Sequence, residues 1–183
     1  MWGPRKGSRE WPQILAAIWQ QHPAAAFIFL GTMFEEAVVR SDLGSTNDQR
    51  ISCQPTFAER DLPSLLADCT IGIFPSHIEG FGLAVLEQLA AGLPTIAYDV
   101  PGPRQILQRQ SARLLTRVGD TAAIASRASE ILSLPLTEYE KLSADCIEIA
   151  RCYRWEEIAE NTIRHYRVAL DSLGQHFTGP RRE

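Results

Sequence analysis

Two carboxylates, Glu79 and Glu87, stand with seven residues between them around the turn Gly80-Phe81-Gly82. Before them, Thr70-Ile71-Gly72-Ile73-Phe74 is a short apolar run bounded by Asp68 and Pro75, which predicts a buried strand. After them, Leu83, Leu86, Leu89 and Ala90 recur at helical spacing, and Gly92 and Pro94 stop the helix. A strand, a glycine turn and a helix in succession mark where an open parallel sheet keeps its ligand. Gly80 and Gly82 let a ligand approach the backbone, and unbonded N–H groups at a positive helix end suit a diphosphate. Two carboxylates beside an anion site have no reason to hold the anion, so hydroxyl groups are their natural partners. A phosphate flanked by sugars satisfies both requirements.

The rest of the chain must position this turn. Ser8 caps a predicted helix to about Gln21, in which Trp11, Ile14, Leu15 and Ile18 form one apolar face. Ala26 to Leu30, closed by Gly31, reads as a buried strand. A helix follows over about Phe34 to Arg40, then the polar loop Ser41 to Gln49. Arg50 to Cys53 reads as a short strand, and Leu62 to Cys69 as a helix with Pro63 in its first turn. Downstream of the central turn, Thr95 to Tyr98 is a strand, Asp99 to Pro103 a loop and Ala112 to Leu115 a weak strand. Helices then run over Thr121 to Leu132 behind an Asp120 cap, over Thr137 to about Tyr153, and from Trp155 to about Leu170. Met1 to Gly7 and Gly174 to Glu183 read as frayed ends. Strands alternating with helices predict an α/β fold, a Rossmann-like doubly wound parallel sheet in a single domain over 1–183. Such a sheet normally opens on a strand, yet the first long element here is a helix.

Composition removes several functional classes. The 183 residues carry a net charge of −4, without the basic footprint of a nucleic-acid surface. No apolar run reaches the length of a membrane span, and Met1 opens no signal peptide. Cys53, Cys69, Cys146 and Cys152 lack C-x-x-C spacing and nearby histidines, so they read as reduced thiols of a cytosolic protein. Val85 stands where a dinucleotide fingerprint after Gly80 and Gly82 needs glycine or alanine, and no P-loop, D-x-D pair or G-x-S-x-G is present.

With Phe74-Pro75-Ser76 ahead of it and Ala91-Gly92-Leu93-Pro94-Thr95 behind, the turn resembles the E-x7-E motif of the retaining glycosyltransferases of family 4, which have the GT-B architecture. The resemblance runs from about Lys6 to about Leu170 and implies one half of that architecture, the C-terminal nucleotide-sugar-binding domain. It implies that Glu79 contacts hydroxyls of the donor sugar, Glu87 the ribose hydroxyls, and the amides of Gly82 and Leu83 the diphosphate. Gly80 gives the backbone its close approach, and Phe81 walls the pocket. Lys6-Gly7 is similar to the family's lysine-glycine pair that reaches the diphosphate. The family's arginine five positions earlier falls on Met1 here, with Arg5 the nearby arginine. His77, at a variable position of the family pattern, reads as a surface residue. Gln54-Pro55-Thr56 either lines the nucleobase or is a plain loop, and Trp155 leads a helix with a packing role.

The implied reaction moves a sugar from a nucleoside diphosphate to an acceptor hydroxyl with retention. The departing diphosphate is stabilised by a helix end and a lysine, with no metal. Neither carboxylate is assigned as a nucleophile. The acceptor-binding N-terminal domain is expected from another segment or a partner subunit, and exposed apolar surface on the cleft side favours such a partner or a homodimer. The other reading is a binding module that holds a nucleotide sugar, or serves as an interaction subunit, without transfer activity. Either places the chain in the cytoplasm, at a membrane only through a partner.

Overall fold

Trp11, Ile14, Leu15 and Ile18, the apolar face expected of the first helix, are all buried, and the computed structural model describes residues 1–176. That helix, α1 (Trp11–Gln21), starts three residues after Ser8, which makes no cap. A 3-10 turn over Pro4–Lys6 and a left-handed Gly7 come first. Pro12 then sits in the opening turn, where a helix needs no donor. Strand β1 (Phe27–Leu30) leads through α2 (Glu36–Asp42) to β2 (Ile51–Gln54), and α3 (Leu62–Leu66), with Pro63 in its first turn, leads to β3 (Gly72–Phe74). Then come α4 (Leu83–Ala90), β4 (Thr95–Tyr98), α5 (Pro101–Ile106), α6 (Ser111–Leu114), β5 (Leu115–Thr116), α7 (Thr121–Leu132), α8 (Leu136–Arg151) and α9 (Trp155–His176).

Every described ladder is parallel, and the chain is an α/β fold as expected. The pairing falls into two ladders, β1-β2 and β3-β4-β5, where one continuous sheet was expected. The segment before α1 bonds to the chain beyond both. Trp2 N–H donates to the Thr32 carbonyl past the end of β1, and His77 N–H donates to the Arg5 carbonyl past the end of β3. Met1 to Gly7, read as frayed, is therefore built in. Trp2 is buried, stacks edge-on against Phe29 and donates from its indole to Asp42. Of the other end read as frayed, Gly174 lies within α9, and residues 177–183 lie outside the described residues.

Two further readings are corrected. The predicted loop Asp99–Pro103 turns into a helix from Pro101 on. The first four N–H groups of a helix have no intrahelical acceptor, so prolines at its first and third positions cost no bond. Ala112 to Leu114 is a helical turn, and only Leu115 of the predicted strand joins β5, opposite Ala97. β4 matches its predicted bounds and is buried at all four positions, as a strand covered on both faces should be. α1 packs on α7, whose N-cap Asp120 accepts from the Ala123 amide at 2.9 Å.

The contacts divide the chain into a unit of Met1–Ala150 and a second from Arg151 on, where the sequence had suggested one domain. The second carries α9, with Trp155, Ile163, Tyr166 and Leu170 exposed on it. In the first, α8 buries Leu142, Cys146 and Ile149 and ties down the far side of β3. Tyr139 donates to the Thr70 carbonyl at 2.8 Å, and Ser143 to the Gly92 carbonyl at 2.7 Å.

The four cysteines differ in burial, Cys146 being buried and Cys152 exposed. Burial pushes the Cys146 thiol up to about 12, and it pushes the Tyr98 phenol up to about 12 as well, with the Glu10 carboxylate adding to the effect. Each folded pKa lies above its unfolded value, so the folded state holds these protons more tightly. Stability is therefore expected to be unaffected by either group near neutral pH, and to fall as pH climbs from about 9 towards 12. Urea unfolding midpoints at pH 8 and pH 10.5 check this, and a midpoint that does not drop would contradict it. The exposed Cys152 should react with a thiol reagent at pH 8 in the native protein, whereas Cys146 should react only after unfolding.

Candidate functional site

The loop 75–82 leaves β3 and enters α4 through Gly82, whose φ of 93° and ψ of 47° are left-handed. A side chain there would be strained. The turn also puts α4's first amides, which have no intrahelical acceptor, at the loop's open face. Gly72 on β3 has another task. A Cβ on it would lie 1.9 Å from Gln88 Oε1 and 2.6 Å from Thr95 Oγ1, so glycine lets α4 lie close on the strand. Gly92, left-handed at φ 78°, follows α4 as predicted, and Leu93 N–H closes the helix onto the Gln88 carbonyl at 2.9 Å.

Lys6 and Glu79 are brought together from 73 positions apart. The ammonium donates to Glu79 Oε2 and lies 5.7 Å from the centre of the Phe74 ring. Both side chains are largely covered, 27% exposed for Lys6 and 18% for Glu79, so this pair feels less solvent than a surface salt bridge. Gly7 makes the approach possible. A Cβ at its φ of 82° would lie 2.3 Å from the Pro75 carbonyl oxygen, so only glycine lets the 3-10 turn rest on the start of the loop. The lysine-glycine pair and the glutamate singled out in the sequence thus meet at one place.

The other predicted residues spread around that point. Gly80 is exposed, and a Cβ on it would meet nothing within 4 Å. Phe81 and Leu83 are exposed at the loop and the start of α4. Glu87 is exposed on α4, and among the described residues its carboxylate makes no hydrogen bond or ion pair. Gln54 turns back to the Thr56 carbonyl at 2.8 Å and closes the turn after β2 on itself.

Two features were missed. His77, read as a surface residue, bonds through Nε2 to Glu10 Oε1 and sets its ring edge-on to Tyr98, with centroids 5.4 Å apart. Its partner lies 67 positions away, which no local pattern reveals. The second is the start of α5. A Cβ on Gly102 would lie 2.3 Å from the Phe81 carbonyl oxygen, and one on Gly82 would touch Pro103 at 3.4 Å. The dipeptide Gly102-Pro103 is therefore the wall behind the turn, and proline and glycine in alternation were the only sign of it. An open hollow of about 930 Å³ runs beyond α5 along β5, between Asp99, Arg104, Gln108 and Arg117, and none of the motif residues line it. Arg104 there is held by Asp99 through a 2.6 Å bond.

Among the described residues no group of three or more His, Cys, Asp and Glu side chains could hold a metal ion, and no helix is long and apolar enough to cross a membrane.

The chain is similar to several known glycosyltransferases and related synthases. The D-inositol 3-phosphate glycosyltransferase of Frankia alni is 32% identical over 130 residues, which is 71% of this chain and 31% of that protein. The sucrose synthase of Nitrosomonas europaea is 31% identical over 103 residues, 53% of this chain and 13% of that one. Among solved structures, the pneumococcal O-GlcNAc transferase in complex with UDP and GlcNAc superposes with a TM-score of 0.75 at 20% identity, over 92% of this chain and 34% of the other. The sucrose-phosphate synthase of Thermosynechococcus elongatus superposes with a TM-score of 0.71 at 24% identity, over 90% of this chain and 43% of the other. At such identities the superpositions speak for the fold, that of one half of a GT-B glycosyltransferase. The chain spans about a third of the length of the first of these relatives. The family described as "Glycosyl transferases group 1" matches residues 3–152, and the chain belongs to that family.

Proposed function

We propose that the chain binds the nucleoside diphosphate sugar of a retaining sugar transfer, with Lys6 and the first amides of α4 on the diphosphate and Glu79 on the sugar hydroxyls. The observation that carries this is the Lys6–Glu79 pair at the mouth of the α4 turn. A cation, a carboxylate and unbonded amides stand together there, as a charged phosphate joined to a hydroxyl-rich ring requires. As the sugar leaves, charge grows on the diphosphate oxygens. A fixed ammonium and helix-end amides stabilise that charge without reorganising, so the reading needs no metal. Glu79 acts on the sugar by orientation, turning the anomeric carbon towards the acceptor. Glu87, exposed on α4 with its carboxylate uncommitted, is assigned to the ribose hydroxyls.

The acceptor side is assigned to a second domain or a partner subunit. Apolar side chains cluster at the strand ends, with Met33 and Phe34 exposed after β1 and Ile78, Phe81 and Leu83 exposed after β3. Such a surface suits an apposed domain better than open solvent.

Calorimetric titration with uridine, guanosine and adenosine diphosphates and their sugars tests the reading. One base series should bind, and Glu87→Ala should weaken it about tenfold, the worth of one or two hydrogen bonds to a carboxylate. Binding by none of them, or equal binding by Glu87→Ala, would sink this assignment.

A further inference from the structure

The residues beneath the site carry a second pair that the proposed chemistry does not use. Glu10 stands at the N-cap of α1, and its Oε1 is bonded to His77 Nε2 in the loop that carries Glu79. The other oxygen, Oε2, is buried with no hydrogen-bond partner. A mostly covered carboxylate with one oxygen unpaired depends on its remaining bond, because breaking that bond would leave the whole charge without a partner. On its far side the His77 ring rests against Tyr98, which is fully buried on β4. The imidazole is thus held between a helix start and the central strand.

Two more contacts join the same two segments. The Arg5 carbonyl accepts from the His77 amide at 2.9 Å and from the Ser76 hydroxyl at 3.4 Å. Lys6 follows Arg5 by one position, and Glu79 follows His77 by two. The Glu10–His77 bond therefore closes a short ring in which residues 5–10, which carry Lys6, are fixed at both ends to His77, two positions before Glu79. We propose that Glu10 and His77 are positioning residues, a brace that holds Lys6 against Glu79. The brace itself is read from contacts alone, and its consequence for the donor rests on the function proposed above.

The chain offers a direct test because it has only two lysines, Lys6 and Lys141. Lys141 is exposed and serves as the internal reference. An ammonium bonded to a carboxylate and laid beside an aromatic ring is shielded from an amine-acylating reagent, so the Lys6/Lys141 labelling ratio, read by mass spectrometry, reports the brace without any nucleotide. Glu79→Gln removes the partner of Lys6 and sets the upper level. His77→Ala is expected to raise the ratio at least about threefold towards that level, while His77→Gln, whose amide still donates to Glu10, keeps it within about twofold of wild type. Glu10→Gln retains a hydrogen-bonding partner and should behave like His77→Gln. Unchanged labelling in His77→Ala overturns the brace, and so does equal labelling in His77→Ala and His77→Gln. If His77→Ala does not fold, Glu10→Ala against Glu10→Gln makes the same comparison. The nucleotide titration, run on the same proteins, reads the donor assignment separately. Silent titrations with the labelling pattern intact sink only the donor assignment, and flat labelling with normal titrations sinks only the brace.

Discussion

Gly102→Ala is expected to destabilise the protein by at least about 3 kcal/mol, among the largest effects available to a single added methyl group. The new Cβ would lie 2.3 Å from the Phe81 carbonyl oxygen and 2.5 Å from its carbon, both backbone atoms that no rotamer change can move aside. The start of α5 must back away from the turn, and Pro103, which lies against Gly82, goes with it. At about 2–4 °C per kcal/mol for a chain of this size, the melting temperature should fall by roughly 6–12 °C. Urea unfolding with an unchanged m-value measures it. A loss below about 1 kcal/mol would mean that the two segments are not in contact in solution. Gly80→Ala is the matched control, one residue away from Phe81. Nothing lies within 4 Å of its added Cβ, so its stability should stay within about 0.5 kcal/mol of wild type.

The second large effect concerns charge. Lys6→Ala should weaken a nucleoside diphosphate at least about thirtyfold, roughly 2 kcal/mol, through two contributions of the same sign. The cation is lost, and the Glu79 carboxylate, only 18% exposed, is left unpaired beside the incoming phosphates. Glu79→Gln should separate these contributions. Lys6 is then freed from its partner, so a nucleoside diphosphate without sugar should bind as well as before or better, while the nucleotide sugar should bind more weakly. Opposite responses to the two ligands are the signature, read by calorimetry at one ionic strength. If Lys6→Ala and Glu79→Gln weaken the bare diphosphate equally, the division of roles between them is wrong.

These two predictions draw on different sources of information. That Gly80 and Gly82 lie in a turn between a strand and a helix, with Glu79 ahead of the turn and Glu87 on the helix, was legible along the chain, because a short apolar run, two glycines and a helical repeat are local patterns. The bounds of β4, the Asp120 cap on α7 and the buried face of α1 were legible for the same reason. Each depends on residues within a turn or two of one another, where hydrophobic periodicity and capping chemistry act.

The pairing of Lys6 with Glu79, of His77 with Glu10, and of Gly102 with the Phe81 backbone spans 73, 67 and about 20 positions, and was settled only when the chain folded. His77 offers the plainest case. Nothing within ten residues of it says whether the imidazole meets water or a carboxylate, so a surface reading was the natural one. Pro101 and Pro103 misled in the other direction, because proline signals a break in a helix interior and is tolerated in its first turn. The sequence by itself determined the family, the parallel α/β order and the identity of the turn, since those rest on local pattern. Tertiary structure decided which distant charges face one another beside that turn, because the close approach permitted by Gly7 brings the segment carrying Lys6 and Glu10 onto the loop carrying His77 and Glu79.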